Sequence, residues 1–311
     1  MTEYHFIVNS ESSGGACLRK WEEAERFLKE QQVPYTVHFP KDEGETICTV
    51  KELTAAESPG CHLIVIGGDG TLNAALQGIV CLEKTQFSCL AGGSANDFAR
   101  DMELSHDTEE ALDAILHAPR EQSLDYGELV CRQGSSREPF RRRFLISSGI
   151  GYDAHICAIA AKSPVKRLFG RLGLGSLIYV SIGVFLMFTG RYGQARIRID
   201  DGEPFEIPHF IFTAMIHKYE GGGIAFCPDA DPADGMLDVC FVKQMPVFRK
   251  LPAFLLVLKE KHDRVPEVSI LRCKSAQVKT TRPEWFHMDG ETPFKTNEIR
   301  YTVKNGLRFI Y

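Results

Sequence analysis

At 311 residues the chain is longer than one core of ordinary size, so two domains are expected. A formal net charge of −5, from 36 Lys and Arg against 41 Asp and Glu, lacks the concentrated basic character of a nucleic-acid binder, which excludes nucleic acid as the main partner. The ten cysteines are scattered without a CxxC pair, as in a reducing compartment, and Met1–His5 carries neither a basic nor a long apolar leader, so a cytoplasmic protein is expected.

The first third alternates strand and helix. Tyr4–Val8 reads as a strand, Leu18–Gln32 as a helix with Trp21, Ala24, Phe27 and Leu28 on one face, and Tyr35–Phe39 as a second strand. Ile47, Val50 and Leu53 form a helical stripe ahead of the apolar run Leu63–Ile66. A short strand at Phe87–Leu90 and a helix at Thr108–His117 follow. This rhythm predicts a doubly wound parallel sheet, whose ligands bind beyond the carboxyl ends of the strands.

After about Tyr126 the pattern changes to strict alternation, as in Arg196–Asp200 and Ile299–Tyr301, the mark of half-buried antiparallel strands. Phe210–Ile216, Leu237–Val242, Val268–Arg272 and Leu307–Tyr311 are further strand candidates, with Asp200-Asp201-Gly202 and Asn305-Gly306 as turn signals. Helices are expected at Ser176–Thr189 and Pro246–Lys259. The most apolar stretch, Leu177–Thr189, falls short of the roughly 20 residues that span a bilayer. It reads as a core helix or as one lying near a membrane or acyl-binding cleft. The expected organisation is an α/β domain over 1–126, with a tail of about 296–311 packing back against it, and a β domain over 127–311.

The richest local pattern is Gly67-Gly68-Asp69-Gly70-Thr71 between the Leu63 strand and a helix beginning Leu72-Asn73-Ala74. Glycines there allow φ > 0 and close approach to a ligand. The helix turns free N–H groups and its positive dipole end toward the loop, which suits phosphate. A carboxylate in that position repels phosphate unless a cation intervenes, so Asp69 implies Mg²⁺, direct or through water. A second turn, Gly92-Gly93-Ser94-Ala95-Asn96-Asp97, follows the Phe87 strand and belongs at the same sheet edge, although Asn96 or Asp97 also suits a plain helix cap. A third loop, Asn9–Gly15, follows the first strand. Two acidic turns lie in the β region, Asp229–Gly235 and Met288-Asp289-Gly290-Glu291, and either serves equally as a simple turn.

Taken with Ser148–Ala154, Gly221-Gly222-Gly223 and Asp234–Asp238, these motifs resemble the diacylglycerol kinase catalytic domain family, specifically its small bacterial lipid kinases, over nearly the whole chain. The glycine turn is shared with NAD kinases and phosphofructokinases; the Asn96-Asp97-Phe98 segment and the late Asp-Gly-Glu turn are more specific. The resemblance implies an N-terminal NAD kinase-like α/β domain and a C-terminal β-sandwich, with γ-phosphoryl transfer from ATP to a lipid hydroxyl in the cleft between them. It places the nucleotide phosphates on Gly67, Gly68, Asp69, Gly70 and Thr71, with Asp69 organising a catalytic Mg²⁺. Asn9, Ser13, Gly14, Gly92, Gly93, Ser94, Asn96, Asp97 and Glu291 complete that site. Asp289 falls on the general base, and Asp234, with carbonyls such as those of Asp231 and Met236, on a structural Mg²⁺.

The chain departs from the family at Ser10, where proline is common, at Ala74, where an acid is common, and at Gly93-Ser94-Ala95, where Gly-Thr is usual. Two other readings fit some of the same residues: a kinase of a soluble nucleotide such as NAD, and a binding member without turnover. The expected partner is a lipid presented by a membrane, contacted peripherally and transiently. Lys162, Lys166, Arg167 and Arg171 suit anionic headgroups or simple solvation. The acceptor lipid and the oligomeric state stay open, a homodimer included.

Overall fold

The computed structural model describes residues 3–10, 15–58, 60–134, 136, 138–162 and 175–311. Ser13, Gly14, Lys166, Arg167 and Arg171 lie outside the described residues. The chain divides into two compact units, one of Met1–Asp125 with Asn305–Tyr311, the other of Tyr126–Lys304.

The first unit is built on β1 (Glu3–Val8), α1 (Ala16–Glu30), β2 (Tyr35–His38), α2 (Glu43–Leu53), β3 (Cys61–Gly67), α3 (Asp69–Gly78), β4 (Thr85–Ala91), α4 (Asp97–Asp101) and α5 (Thr108–His117). The strands run parallel in the order β4-β3-β1-β2. Every residue of β3 is buried because the sheet is covered on both faces, which accounts for its continuous apolar run. Phe6, Val8, Ile64 and Ile66 meet Trp21, Leu28, Leu112 and Ile115 of α1 and α5. Leu63 and Val65, offset by one residue, are buried on the opposite side. Asp42 and Asp107 start α2 and α5 by accepting hydrogen bonds from Glu45 N and Glu110 N, three residues on.

The second unit takes up β5 (Glu121–Cys131) from Tyr126 on, β6 (Phe140–Phe144), β7 (Ser147–Gly151), α6 (Tyr152–Lys162), α7 (Gly175–Thr189), β8 (Gln194–Ile199), β9 (Phe205–Met215), β10 (Tyr219–Glu220), β11 (Ile224–Ala225), β12 (Leu237–Lys243), α8 (Val247–Val257), β13 (Val268–Cys273), β14 (Ser275–Met288) and β15 (Lys295–Ile310) as far as Lys304. Two long strands serve both layers of a sandwich. β9 pairs with β8 through Phe205–Pro208 and with β7 through Ile211–Met215. β14 pairs with β8 through Ala276–Thr280 and with β7 through Phe286–Met288. Each strand changes partner beside a proline, Pro208 or Pro283, a residue that cannot sustain a central ladder and is tolerated at bends. Between the layers lie Phe144, Ile197, Phe212, Val239, Val278, Phe286 and Tyr301. Among the described residues no helix is long and apolar enough to cross a membrane.

Asn305-Gly306 departs from expectation. It does not reverse the chain: β15 runs through it unbroken. Only Gly306 takes a positive φ, +111°, whereas a two-residue hairpin of this kind needs both central residues left-handed. The result is a kink. Asn305 fixes it by donating to Asp125 Oδ1 at 2.7 Å and accepting from Ser123 Oγ at 3.0 Å. Arg308 and Phe309 then lie parallel beside Gln86 and Phe87, and Ser88 Oγ donates to Ile310 O. Gly306→Ala is expected to lower unfolding free energy by about 1–3 kcal/mol, because only glycine adopts that φ without strain. Urea denaturation followed by circular dichroism measures it.

Candidate functional site

Three loops of the first unit leave the carboxyl ends of β1, β3 and β4, which are hydrogen-bonded neighbours. Cross-bonds hold the loops together. Asn9 Nδ2 donates to Thr71 Oγ1 at 3.0 Å, and Asn9 N donates to Ile66 O. Gly92 N donates to Gly67 O at 2.9 Å, and Cys17 Sγ to Gly92 O. Asn9, Gly67, Gly68, Asp69, Thr71, Gly92, Gly93, Asn96 and Asp97 are thus brought to one rim. Gly70 and Ser94 are exposed on its loops. Both α1 and α3 start here after a glycine, with no side-chain cap on either. That leaves their first turns to partners other than a capping side chain.

The reason for the glycines differs from the expectation. Gly67, Gly68, Gly92 and Gly93 do not have positive φ. Their need is proximity: a Cβ on Gly68 would lie 2.9 Å from the Gly93 Cα, and one on Gly93 would strike the Gly68 Cα. The two phosphate-type loops touch backbone to backbone, and any side chain at the contact forces them apart.

Asp69 reinforces that contact. Its Oδ2 accepts from Asp97 N at 3.1 Å and its Oδ1 from Phe98 N at 3.3 Å, so it caps α4 across the gap between loops. Asn96, the residue in the capping position, has φ +53° and makes no cap; its amide closes its own loop through Gly93 N and Gly93 O. Asp97 is buried, with Arg100 as an ion-pair partner at 4.0 Å. Two carboxylates, Asp69 and Asp97, stand on this rim of amide donors, a donor set whose chemistry suits a divalent cation together with an anionic ligand. Ala74 is buried in α3, where a polar side chain would have no access to a ligand.

In the second unit Asp289 stands at the end of β14 in a left-handed conformation, φ +45°. Its Oδ2 accepts from Leu145 N at 2.7 Å, and its Oδ1 accepts from Ile146 N and Ser147 N at 2.8 and 2.9 Å. Asp289 N returns a bond to Ser147 O. The carboxylate therefore anchors the β6–β7 connection and is half-buried. Glu291 is exposed on the same turn, its backbone exchanging hydrogen bonds with Met288.

Next to that turn lies a group that no local pattern announces. His287 is fully buried, with Nε2 3.1 Å from Asp153 Oδ2 and 3.2 Å from Glu220 Oε1. Burial favours the neutral ring, but the charge of Glu220, the hydrogen bond and charge of Asp153, and the charge of Asp289 together outweigh it and raise the pKa to about 9. These residues are far apart in the sequence, and no spacing marks them.

The metal site expected at Asp231, Asp234 and Met236 falls on the turn that leads into β12. Asp231 Oδ1 accepts from Ala233 N, and Asp234 Oδ1 accepts from Met236 N. The other oxygen of Asp234 is paired with the guanidinium of Arg272. Neighbouring Asp238 is buried, and burial, followed by the charges of Asp229 and Asp231, pushes its carboxyl up to about 6.

His287 gives a pH dependence with a definite sign. Its folded pKa lies above the unfolded value of about 6.5, so its contribution is complete below that value and is lost as pH rises toward 9. Unfolding free energies from chemical denaturation between pH 6 and 9.5 are expected to fall more steeply for the wild type than for His287→Gln. Parallel curves would contradict the charged assignment.

The chain matches the family described as "Diacylglycerol kinase catalytic domain" over residues 3–129 and the "YegS C-terminal NAD kinase beta sandwich-like domain" over residues 147–303. It is 26% identical over 304 residues to a Bacillus subtilis (strain 168) protein named as a lipid kinase, YtlR, covering 95% of this chain and 96% of that one. It is 22% identical to a protein from the same organism named diacylglycerol kinase, over 92% of this chain and 88% of the other. A crystal structure described as a diacylglycerol kinase from Bacillus anthracis str. Sterne superposes with a TM-score of 0.77 at 19% identity, over 99% of this chain and 95% of that one. With its α/β unit, its sandwich and both matched regions in order, the chain belongs to the diacylglycerol kinase catalytic domain family of lipid kinases.

Proposed function

We propose that this protein transfers the γ-phosphoryl group of ATP to a hydroxyl of a lipid. The observation that carries the nucleotide half is the rim where two uncapped helices, α1 and α3, begin beside the touching loops at Gly68 and Gly93. Backbone amides and helix dipoles at such a rim hold a polyphosphate without a side-chain cation. When bound, Mg²⁺ would be held by Asp69, directly or through water, and would neutralise the transferring phosphates. No part of the reaction is assigned to the Asp229–Gly235 loop.

For the acceptor half, Asp289 is the proposed base. Three amide donors fix its carboxylate in one orientation. A carboxylate is a weak base toward an alcohol, but phosphoryl transfer passes through a loose transition state in which the proton leaves late. Orientation of the hydroxyl therefore matters more than basicity. The proton passes from the lipid hydroxyl to Asp289 as the hydroxyl oxygen bonds to phosphorus and the β–γ bridging bond breaks toward ADP. The family relationship supports a lipid acceptor, and the polar alternative, NAD or a similar soluble nucleotide, is separable by experiment.

Labelled ATP with extracted lipids in detergent is expected to give a labelled lipid, and labelling of NAD in aqueous buffer instead would overturn the reading. Asp289→Asn should lower kcat by at least about 10²-fold with nucleotide affinity nearly unchanged. The variant also sets an amide N–H against backbone donors, so a loss of about 1.5–3 kcal/mol of stability is expected alongside. Nucleotide affinity measured on the folded fraction separates the two effects. Full turnover in Asp289→Asn removes the residue from the chemistry.

A further inference from the structure

Two helices of the second unit show more apolar surface than a water-facing helix normally does. In α8 the side chains of Ala253, Phe254, Leu256 and Val257 pack inward, yet Val247, Phe248, Leu251, Leu255 and the following Leu258 are exposed on the outside. The helix is apolar nearly all round, and its only charged residues are Arg249, paired with Glu267, and buried Lys250. Phe248 is 78% exposed. Beside it, α7 contains no charged residue and exposes Val184, Phe185 and Phe188, the two phenylalanines at 63% and 52%. The helices are joined where Lys250 Nζ donates to Met187 O at 2.9 Å, and Phe185 and Phe188 on one helix and Phe248 and Leu251 on the other lie within two residues of that bond in the sequence. A helix apolar all round is normally covered, and scattered single exposures do not account for this grouping.

The charge pattern identifies the cover. Although the whole chain is net negative, every charged residue from Ala154 to Ile199 is Lys or Arg, including Lys162, Lys166, Arg167, Arg171 and Arg191. The same holds from Val239 to Lys259, with Lys243, Arg249, Lys250 and Lys259. Each exposed apolar helix thus lies in a stretch from which acids are absent. Bulky apolar side chains combined with nearby Lys and Arg suit a surface that is oily inside and anionic at its boundary. A second protein surface gains nothing from the missing acids.

We infer that the exposed face of α7 and α8, centred on Phe185, Phe188, Phe248 and Leu251, seats this protein on an anionic lipid bilayer, with the exposed Arg191, Arg249 and Lys259 at the headgroups. The inference rests on the lipid-kinase reading and specifies how the enzyme meets a substrate that stays in its membrane. The two helices do not span; they lie in the interface, with their inner faces still on the sandwich.

The test uses the full chain and vesicles of phosphatidylcholine with or without phosphatidylglycerol. The wild type should sediment with the anionic vesicles, less so as salt rises. Phe185→Glu and Phe248→Glu should each weaken that binding roughly tenfold or more, as expected for a charge placed in the apolar layer. Both sites are exposed, so thermal melts should be unchanged, and activity on detergent-dispersed lipid should be retained. Equal vesicle binding by wild type and both variants overturns the inference. So does a wild-type dimer, seen by light scattering, that the variants convert to monomer while vesicle binding stays the same. Variant-sensitive vesicle binding without phosphorylation of any lipid leaves the docking face standing and removes the kinase reading instead.

Discussion

The contact between the loops after β3 and β4 is the constraint from which the rim of the first unit follows. Gly68 and Gly93 meet backbone to backbone, and Asp69 bridges the remaining gap by capping α4. Pulling the loops together aligns the start of α3 with the Asn9 segment, which Asn9 itself ties to Thr71. A single carboxylate therefore holds the scaffold together, and in the proposed reading the same group faces the cation. Such double duty keeps the loop rigid before any ligand arrives, which reduces the ordering cost of binding.

Asp289 illustrates the same economy in the second unit. A turn residue with positive φ is costly for anything but glycine, asparagine or aspartate, and here the side chain recovers the cost by holding three amides of the β6–β7 connection. Below it the His287 imidazolium lies between Asp153 and Glu220, drawing β14, α6 and β10 to one point. The buried ion cluster fixes where the strand ends and hence where Asp289 stands. Buried charges are a poor source of net stability, but they specify geometry.

Much of this was legible in the sequence wherever local pattern decides the outcome. The alternating rhythm of the first third gives β1 to α5 because β3 and β4 at the centre are buried on both faces and α1 buries one apolar stripe. The Gly67–Thr71 and Gly92–Asp97 turns announce themselves because few sequences crowd glycine after a buried strand. What was not legible depends on long-range pairing. The polar stretch of β14 around Lys279–Pro283 hides a strand that changes sheets, and its alternation is broken where the register shifts. Asn305-Gly306 carries hairpin chemistry but sits inside a strand, because its asparagine is bound to Ser123 and Asp125. Asp234 pairs with Arg272 of β13, a long-range partner that no local spacing announces.

The route of β15 has a consequence for synthesis. Residues 305–311 complete the unit that the first 125 residues begin, flanking β4 and exchanging backbone bonds between Tyr311 and Arg120. A growing chain on the ribosome cannot close that sheet when the N-terminal segment emerges, and β4 must wait with an unpaired edge while the whole sandwich is translated. The α/β unit is thus completed only after the sandwich has been translated, and a chain that stops before residue 305 leaves its sheet open.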